Sequence, residues 1–143
     1  MATKNKIERG FCLLWDSVDL SGDLVPGSVS GGGLVFDEVE MTGVSQSVRN
    51  YLAGHAASEI GARFHLNDTA STGSYPTLDD SVGATATLTL RWGRSGTAPV
   101  GGDPEWEGTY LLSRCDIVLD GGRVLLDTMF QPGSTTAPAW GTV

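Results

Sequence analysis

The most regular pattern in the chain is the alternation of apolar and polar residues in ATATLTLRW, residues 84–92. Alanine, leucine and tryptophan occupy every second position, and three threonines and one arginine lie between them. A period of two predicts a β-strand with one buried face. Threonine suits the opposite face because its side chain is β-branched.

A pair of strands is predicted in the last third of the chain. The run GTYLLSRCDIVLD (residues 108–120) leads into Gly121-Gly122, and the run RVLLDTMF (residues 123–130) follows. Two strand-like runs around an Asp-Gly-Gly turn are typical of a β-hairpin. The first run is apolar on both faces, which predicts that the core covers one face and that a partner covers the other.

Two further segments alternate, and one short helix is predicted. LVFDEVEMT (residues 34–42) has mixed faces, whereas SEIGARFHLND (residues 58–68) has apolar residues on one face. Pro76 before and Gly83 after residues 77–82 have the positions typical of one or two helical turns. With 20 glycines and only 18% charged residues, the chain is expected to be mainly β, with many turns.

The length of 143 residues predicts a single domain over residues 1–143. We expect residues 1–10 to be a flexible N-terminus and residues 131–143 (QPGSTTAPAWGTV) to be an extended arm unless a partner orders it. The apolar run at residues 11–15 is too short for a signal peptide, which needs roughly 7–15 such residues. No stretch approaches the roughly 20 residues of a membrane span. We therefore expect no membrane partner, and a protein assembled in the cytoplasm.

The net charge of −8 disfavours nucleic-acid binding, because such binding depends on Lys and Arg neutralising phosphates. Contact with DNA without adhesion remains compatible with this charge. Cys12 and Cys115 are too few for a disulfide scaffold, and we expect two free thiols.

Candidate chemistry is sparse. His55 and His65 have no Cys or Asp at the spacing of a zinc motif. No phosphate-binding loop and no nucleophile elbow occur. Trp106, between two glutamates, fits a core residue better than a sugar-binding residue. We expect no cofactor, no metal and no catalytic site, and therefore not an enzyme.

The order of the segments resembles the tail-tube (major tail) proteins of long-tailed bacteriophages. The resemblance starts near VDLSGDLVPG and continues with Thr42-Gly43, a polar loop with Arg49, and the YLAG sequence at residues 51–54. It continues through SEIGARFHLND, through the strand 83–92 followed by GDPEWEG, and through the closing hairpin to PGSTTAPAWGTV. The helix that this family has between its strands is here reduced to residues 77–82.

This resemblance implies a β-sandwich or half-barrel of antiparallel strands that forms hexameric rings. The rings would stack into a tube through which DNA passes, with the tape measure and terminator as further partners, and the protein would be located in the virion tail. Six subunits at −8 would give a ring of −48 (6 × 8). The segment 41–54 would reach the next ring, with a turn at Gly54. The implied contact residues are Thr42, Gly43, Arg49, Tyr51, Leu52, Gly54, Trp106 and Trp140.

Three other functions are compatible with the sequence. One is another virion protein, such as a capsid decoration protein or a head–tail joining or terminator protein, which forms a trimer or a ring that does not stack. Another is a carbohydrate-binding module in which Trp92, Trp106 or Trp140 stacks on sugar. The last is a hydrolase, which would need a cleft with a perturbed carboxylate.

Overall fold

The computed structural model describes residues 10–93 and 98–143, and just over half of these residues lie in β-strands. The elements are β1 (Phe11–Trp15), β2 (Val18–Asp19), β3 (Ser30–Gly31), β4 (Val35–Glu40), β5 (Tyr51–Ala57), β6 (Ile60–His65), α1 (Ser74–Asp79), β7 (Thr85–Trp92), β8 (Pro104–Asp120), β9 (Arg123–Pro132) and β10 (Ala139–Thr142). Every strand pair is antiparallel. The mainly β class with one short helix is confirmed. The expected flexible N-terminus lies, except for Gly10, outside the described residues.

The main sheet is organised around β8, the longest strand. Its strands run in the order β2-β1-β7-β8-β9-β6-β3, and β10 also pairs with β8. One edge of β8 pairs with β7. The other edge pairs with β10 over residues 104–107 and with β9 over residues 110–120. β9 and β10 therefore form one line along β8, interrupted by an excursion at residues 133–138. The predicted hairpin around Gly121-Gly122 is confirmed.

The main sheet curls around its core. Trp15 on β1 and Phe130 on β9 stack with ring centroids 5.0 Å apart, although two strands separate β1 from β9. In a flat sheet three strand spacings would place these residues about 14 Å apart. The strands of the described residues do not close into a barrel, so the sheet has the open, curled form of a half-barrel.

The concave face of the sheet forms the hydrophobic core. The periodic residues of the sequence supply most of it: Leu88 and Leu90 from β7, and Ile60, Ala62 and Phe64 from β6, are buried. At the centre, Trp106 Nε1 donates a hydrogen bond of 2.8 Å to the Tyr110 hydroxyl. The same hydroxyl lies 2.8 Å from Ser58 Oγ.

The helix begins earlier than the sequence predicts. It spans Ser74–Asp79, not residues 77–82, and Pro76 is its third residue, where proline is tolerated because the first-turn amides have no partner within the helix. The Ser74 amide donates to an Asp23 carboxylate oxygen at 3.1 Å, and its hydroxyl donates to the His65 carbonyl. These two contacts across the fold, which local sequence does not reveal, anchor the helix start.

The C-terminal segment, which was expected to be an extended arm, instead pairs with the chain's own sheet. β9 continues to Pro132, and β10 pairs with the first residues of β8. Trp140 packs against Trp92 and Trp106, with ring centroids 5.3 Å and 5.2 Å apart. β9 does not pair with residues 104–107 of β8, so β10 can pair there. This pairing and the contacts of Trp140 with two tryptophans hold the segment on the chain's own sheet.

Candidate inter-subunit surface

The most exposed part of the described chain is a two-stranded ribbon, residues 35–57, formed by β4, β5 and the loop between them. β4 and β5 pair only with each other and make a sheet separate from the main one. Every residue of both strands is exposed. A single hairpin of this kind is marginally stable in water, and three or more strands or a packed face are normally needed. The ribbon is therefore the natural place for contact with another chain.

Both faces of the ribbon mix apolar and acidic side chains. The register pairs Val39 with Leu52 and Glu40 with Tyr51, so that these pairs point to opposite sides. Val35, Asp37 and Met41 lie on the side of Val39 and Leu52. Glu38 and Glu40 lie on the other side, together with Phe36 and Tyr51. All of these large apolar side chains are exposed.

Gly54 does not make the turn that the sequence predicts. It lies inside β5, opposite Asp37, where the register between β4 and β5 shifts. A Cβ atom at Gly54 would lie 3.1 Å from Asp37 Cβ and 3.2 Å from the Asp37 carbonyl oxygen. Gly54 therefore permits close approach of the two strands at a β-bulge, a feature that bends and twists a ribbon.

The loop at the end of the ribbon, residues 41–50, is organised by hydrogen bonds. The Asn50 amide donates to Thr42 Oγ1 at 2.8 Å, and the Met41 amide donates to the Asn50 carbonyl at 2.7 Å. The Gly43 amide donates to Gln46 Oε1 at 2.6 Å. Thr42 and Gly43 thus shape the loop, and Arg49 is an exposed residue within it. Six of the eight residues expected at the contact lie in the ribbon, and one of them, Gly54, supports its shape.

The two tryptophans expected at the contact lie elsewhere and differ in exposure. Trp106 is 2% exposed and belongs to the core, so it offers almost no surface to a neighbour. Trp140 is 63% exposed although it packs against two other tryptophans. Together with Trp92 and Phe11 it lines a cavity of about 190 Å³.

A second exposed apolar surface lies at the far end of the β8–β9 hairpin. Ile117, Leu119 and Val124 are exposed on the same face, and Ile117 is paired with Leu126, which is buried at the margin of the core. β7 pairs with β8 only as far as Leu111, so no described strand pairs with that edge of β8 from Ser113 to Asp120. The sequence predicted that this run is covered on both faces. An apolar run alone does not show whether the covering residues belong to the same chain or to a partner.

The described residues contain little that could serve catalysis. No group of three or more His, Cys, Asp or Glu side chains among them could hold a metal ion. Cys12 and Cys115 are free thiols on different strands. Burial, and the nearby carboxylates led by Asp116, raise the pKa of the Cys115 thiol and make it a weaker nucleophile. No helix in the described ranges is long and apolar enough to cross a membrane.

Several solved structures share this fold over nearly the whole chain. A chain of the PVC sheath-tube complex, from an extracellular contractile injection system in the extended state, has a TM-score of 0.63 at 13% identity, covering 94% of this chain and 90% of that one. A chain of the PVC sheath/tube terminator has a TM-score of 0.67 at 12% identity, with 98% and 99% covered. A chain of the anti-feeding prophage (AFP) baseplate has a TM-score of 0.65 at 13% identity, with 98% and 97% covered.

No protein-family model and no curated protein matches the sequence. At identities of 12–13% the structural similarity concerns the fold, not the activity. It confirms, at the level of fold, the resemblance to tail-tube proteins that the sequence motifs indicated. The chain shares its fold with chains of a sheath-tube complex, a sheath/tube terminator and the anti-feeding prophage baseplate.

Proposed function

We propose that this chain is a structural, non-enzymatic subunit of a phage-type tail or a related injection particle. In this proposal it assembles into hexameric rings that stack into a tube. The observation that supports it best is the fully exposed ribbon, which projects from a fold shared with chains of tube-containing particles. Tape-measure and terminator proteins would be its further partners, and the virion tail its location.

The ribbon supplies a clear energetic reason to assemble. Val35, Val39, Met41 and Leu52 expose apolar side chains to water on one face, which also carries Asp37. Full burial of an aliphatic side chain contributes about 1.5–3 kcal/mol, so covering this face would offset much of the entropy lost in association. The ribbon is already hydrogen-bonded in the isolated subunit, so less ordering is needed than for a disordered loop.

Unpaired strand edges provide the second element of the proposal. Within the described residues, the outer edges of β4 and β5 have no strand partner, and neither does one edge of β8 beyond Leu111. Pairing the edges of neighbouring copies would satisfy these backbone groups and prevent random aggregation. A closed rotation between copies would give a ring, and head-to-tail stacking would give the tube. An acidic lumen would let DNA pass without adhesion.

A terminator or joining protein is the second candidate. Its support is the TM-score of 0.67 with a chain of a sheath/tube terminator. Such a protein would form a single ring at the end of a tube. The two candidates differ in one observable, because a tube subunit stacks with copies of itself and a terminator does not.

Electron microscopy of the purified protein over a range of concentrations tests the proposal. We expect stacked rings with a central hole. Tyr51→Ala with Leu52→Ala should abolish tubes while the circular dichroism spectrum and thermal midpoint of the subunit stay near those of the wild type. Isolated rings that never stack would favour the terminator, and a chain that stays monomeric at all concentrations would contradict both candidates.

The matched control variant is Tyr75→Ala with Leu66→Ala. These residues have the same types and similar exposure, 45% and 41% against 45% and 54% for Tyr51 and Leu52, but lie outside the ribbon. Tubes should form from this control. Tubes that survive the Tyr51/Leu52 change would show that the ribbon is not the specific contact. Leu66 and Tyr75 line the same pocket as Ile117, so loss of tubes in both variants would indicate a second contact at that surface.

A further inference from the structure

One apolar pocket of the described chain, which is partly open to solvent, has no role in the proposed function so far. We call it the Trp140 pocket, and it is lined by Phe11, Val29, Gly31, Gly32, Gly33, Leu90, Trp92, Trp106 and Trp140. Its volume is about 190 Å³. An apolar cavity of about 150 Å³ is large enough for a benzene ring, so this pocket can hold an aliphatic or aromatic side chain.

The walls of the pocket indicate the chemistry of its occupant. None of the lining side chains is charged or polar apart from the indole N–H groups, and the Trp106 N–H is already donated to Tyr110. Gly31, Gly32 and Gly33 contribute only backbone, all with positive φ of 68–88°. A sugar needs several polar side chains to fix its hydroxyl groups, whereas an apolar side chain needs none. The pocket therefore fits an apolar side chain from an uncharged segment.

The ribbon's own loop has these properties. Residues 41–48 (MTGVSQSV) contain no charged side chain, in a chain with 18% charged residues. Val44 has a relative exposure of 109%, and Val48 is also largely exposed. Ile117 and Leu119 lie between Asp116 and Asp120 and would bring carboxylates to an uncharged aromatic site, whereas Val35 (68%) and Val100 (64%) are less exposed than Val44.

We propose that Val44 of one copy inserts into the Trp140 pocket of a second copy. This inference rests on the proposed self-assembly and assigns the acceptor site for the ribbon. Donor and acceptor are different surfaces of one chain, so the contact is heterologous and can repeat without limit. The insertion covers both the most exposed valine and the most exposed tryptophan. Gly33 lies before the first strand of the ribbon and Val44 lies after it, so strand β4 separates Val44 from its own pocket.

A cysteine cross-link tests this contact. The variant Val29→Cys/Val44→Cys, in a Cys12→Ser/Cys115→Ser background, places one thiol at the pocket and one on the loop. A disulfide requires Cα atoms within about 7 Å, so cross-links report close approach. Oxidation of the assembled protein should give a ladder of covalent multimers on a non-reducing gel, because each copy has one donor and one acceptor. Val82→Cys/Val44→Cys is the control and should give no ladder, since Val82 lies beside a different cavity.

Two single substitutions supply independent readouts. Val44→Ala should raise the concentration needed for assembly about tenfold, and Val44→Asp should abolish assembly. In the wild type, assembly should shift tryptophan emission to shorter wavelength because the exposed Trp140 becomes buried, and Trp140→Phe should remove this shift.

The outcomes separate this inference from the proposed function. Tubes that form without the ladder or the emission shift would refute insertion into the pocket and leave the tube function standing. A ladder that appears equally in the Val82 control would also refute it. A wild-type chain that never assembles would contradict both.

Discussion

Removing the Tyr110 hydroxyl is expected to be among the most destabilising single-atom changes in this protein. The oxygen receives the Trp106 N–H at 2.8 Å and lies 2.8 Å from the Ser58 hydroxyl. All three side chains are buried. Tyr110→Phe keeps the ring and opens no large cavity, so the effect measures the polar interactions alone.

The expected loss follows from the number of groups left without a partner. A buried donor or acceptor without a hydrogen bond costs about 1–3 kcal/mol. The Trp106 N–H is fixed by its ring and loses its acceptor, whereas the Ser58 hydroxyl can rotate and recovers part of its loss. We therefore expect Tyr110→Phe to lower the free energy of unfolding by about 2–4 kcal/mol. Ser58→Ala, which leaves the Trp106–Tyr110 bond intact, should cost about 1 kcal/mol.

Urea unfolding followed by circular dichroism, at concentrations where the subunit is monomeric, measures both values. The double variant Ser58→Ala/Tyr110→Phe should cost less than the sum of the single changes, because the buried serine hydroxyl is then absent. A loss below about 0.5 kcal/mol for Tyr110→Phe, or equal losses for the two single variants, would show that the network does not hold the core as described.

Three further predictions concern single positions. Gly108→Ala should cost about 1–3 kcal/mol in thermal unfolding, because its Cβ would lie 2.7 Å from Pro138 Cβ; an unchanged midpoint would mean that residues 133–138 move aside freely. Cys115 should reach half-maximal rate with a thiol reagent at a higher pH than a cysteine in a short unstructured peptide, because its raised pKa leaves less thiolate; an equal or lower midpoint would contradict this. Ile117→Asp should change monomer stability by less than about 0.5 kcal/mol but weaken assembly seen by sedimentation, and unimpaired assembly would show that this end of β8 is no interface.

The strands of the main sheet were predictable because their signals are local. β7 follows the period of two in residues 84–92 within one residue at its start, and the β8–β9 hairpin follows from the Asp-Gly-Gly turn. Burial of Ile60, Ala62 and Phe64 also follows from alternation alone. In these segments the local preference and the final fold agree.

The features that sequence reasoning missed depend on residues far apart in the chain. Ser74 starts the helix early because Asp23, 51 positions away, accepts its amide hydrogen. The end of the chain folds back because β8 leaves an edge open and Trp92 offers a stacking partner for Trp140. Gly54 was expected to turn the chain, but the pairing of β5 with Asp37 in β4 places it in a bulge.

The candidate site was predictable in part. The motif around residues 41–54 led to the exposed segment, and Tyr51 and Leu52 do lie exposed on the ribbon. The Trp140 pocket is assembled from β1, the Gly31–Gly33 turn, β7, β8 and β10, which no local pattern joins. The apolar run at Ile117 resembled a buried strand because the sequence does not show whether the residues that cover an apolar run belong to the same chain.

The line formed by β9 and β10 along β8 has a mechanical consequence. β8 has 17 residues and is therefore about 56 Å long. A pull along this strand loads many backbone hydrogen bonds in shear at the same time, whereas a pull across it would open them one after another. The subunit is stiffest in the direction in which β8 runs, so extension by single-molecule force spectroscopy should need a higher force along β8 than across it.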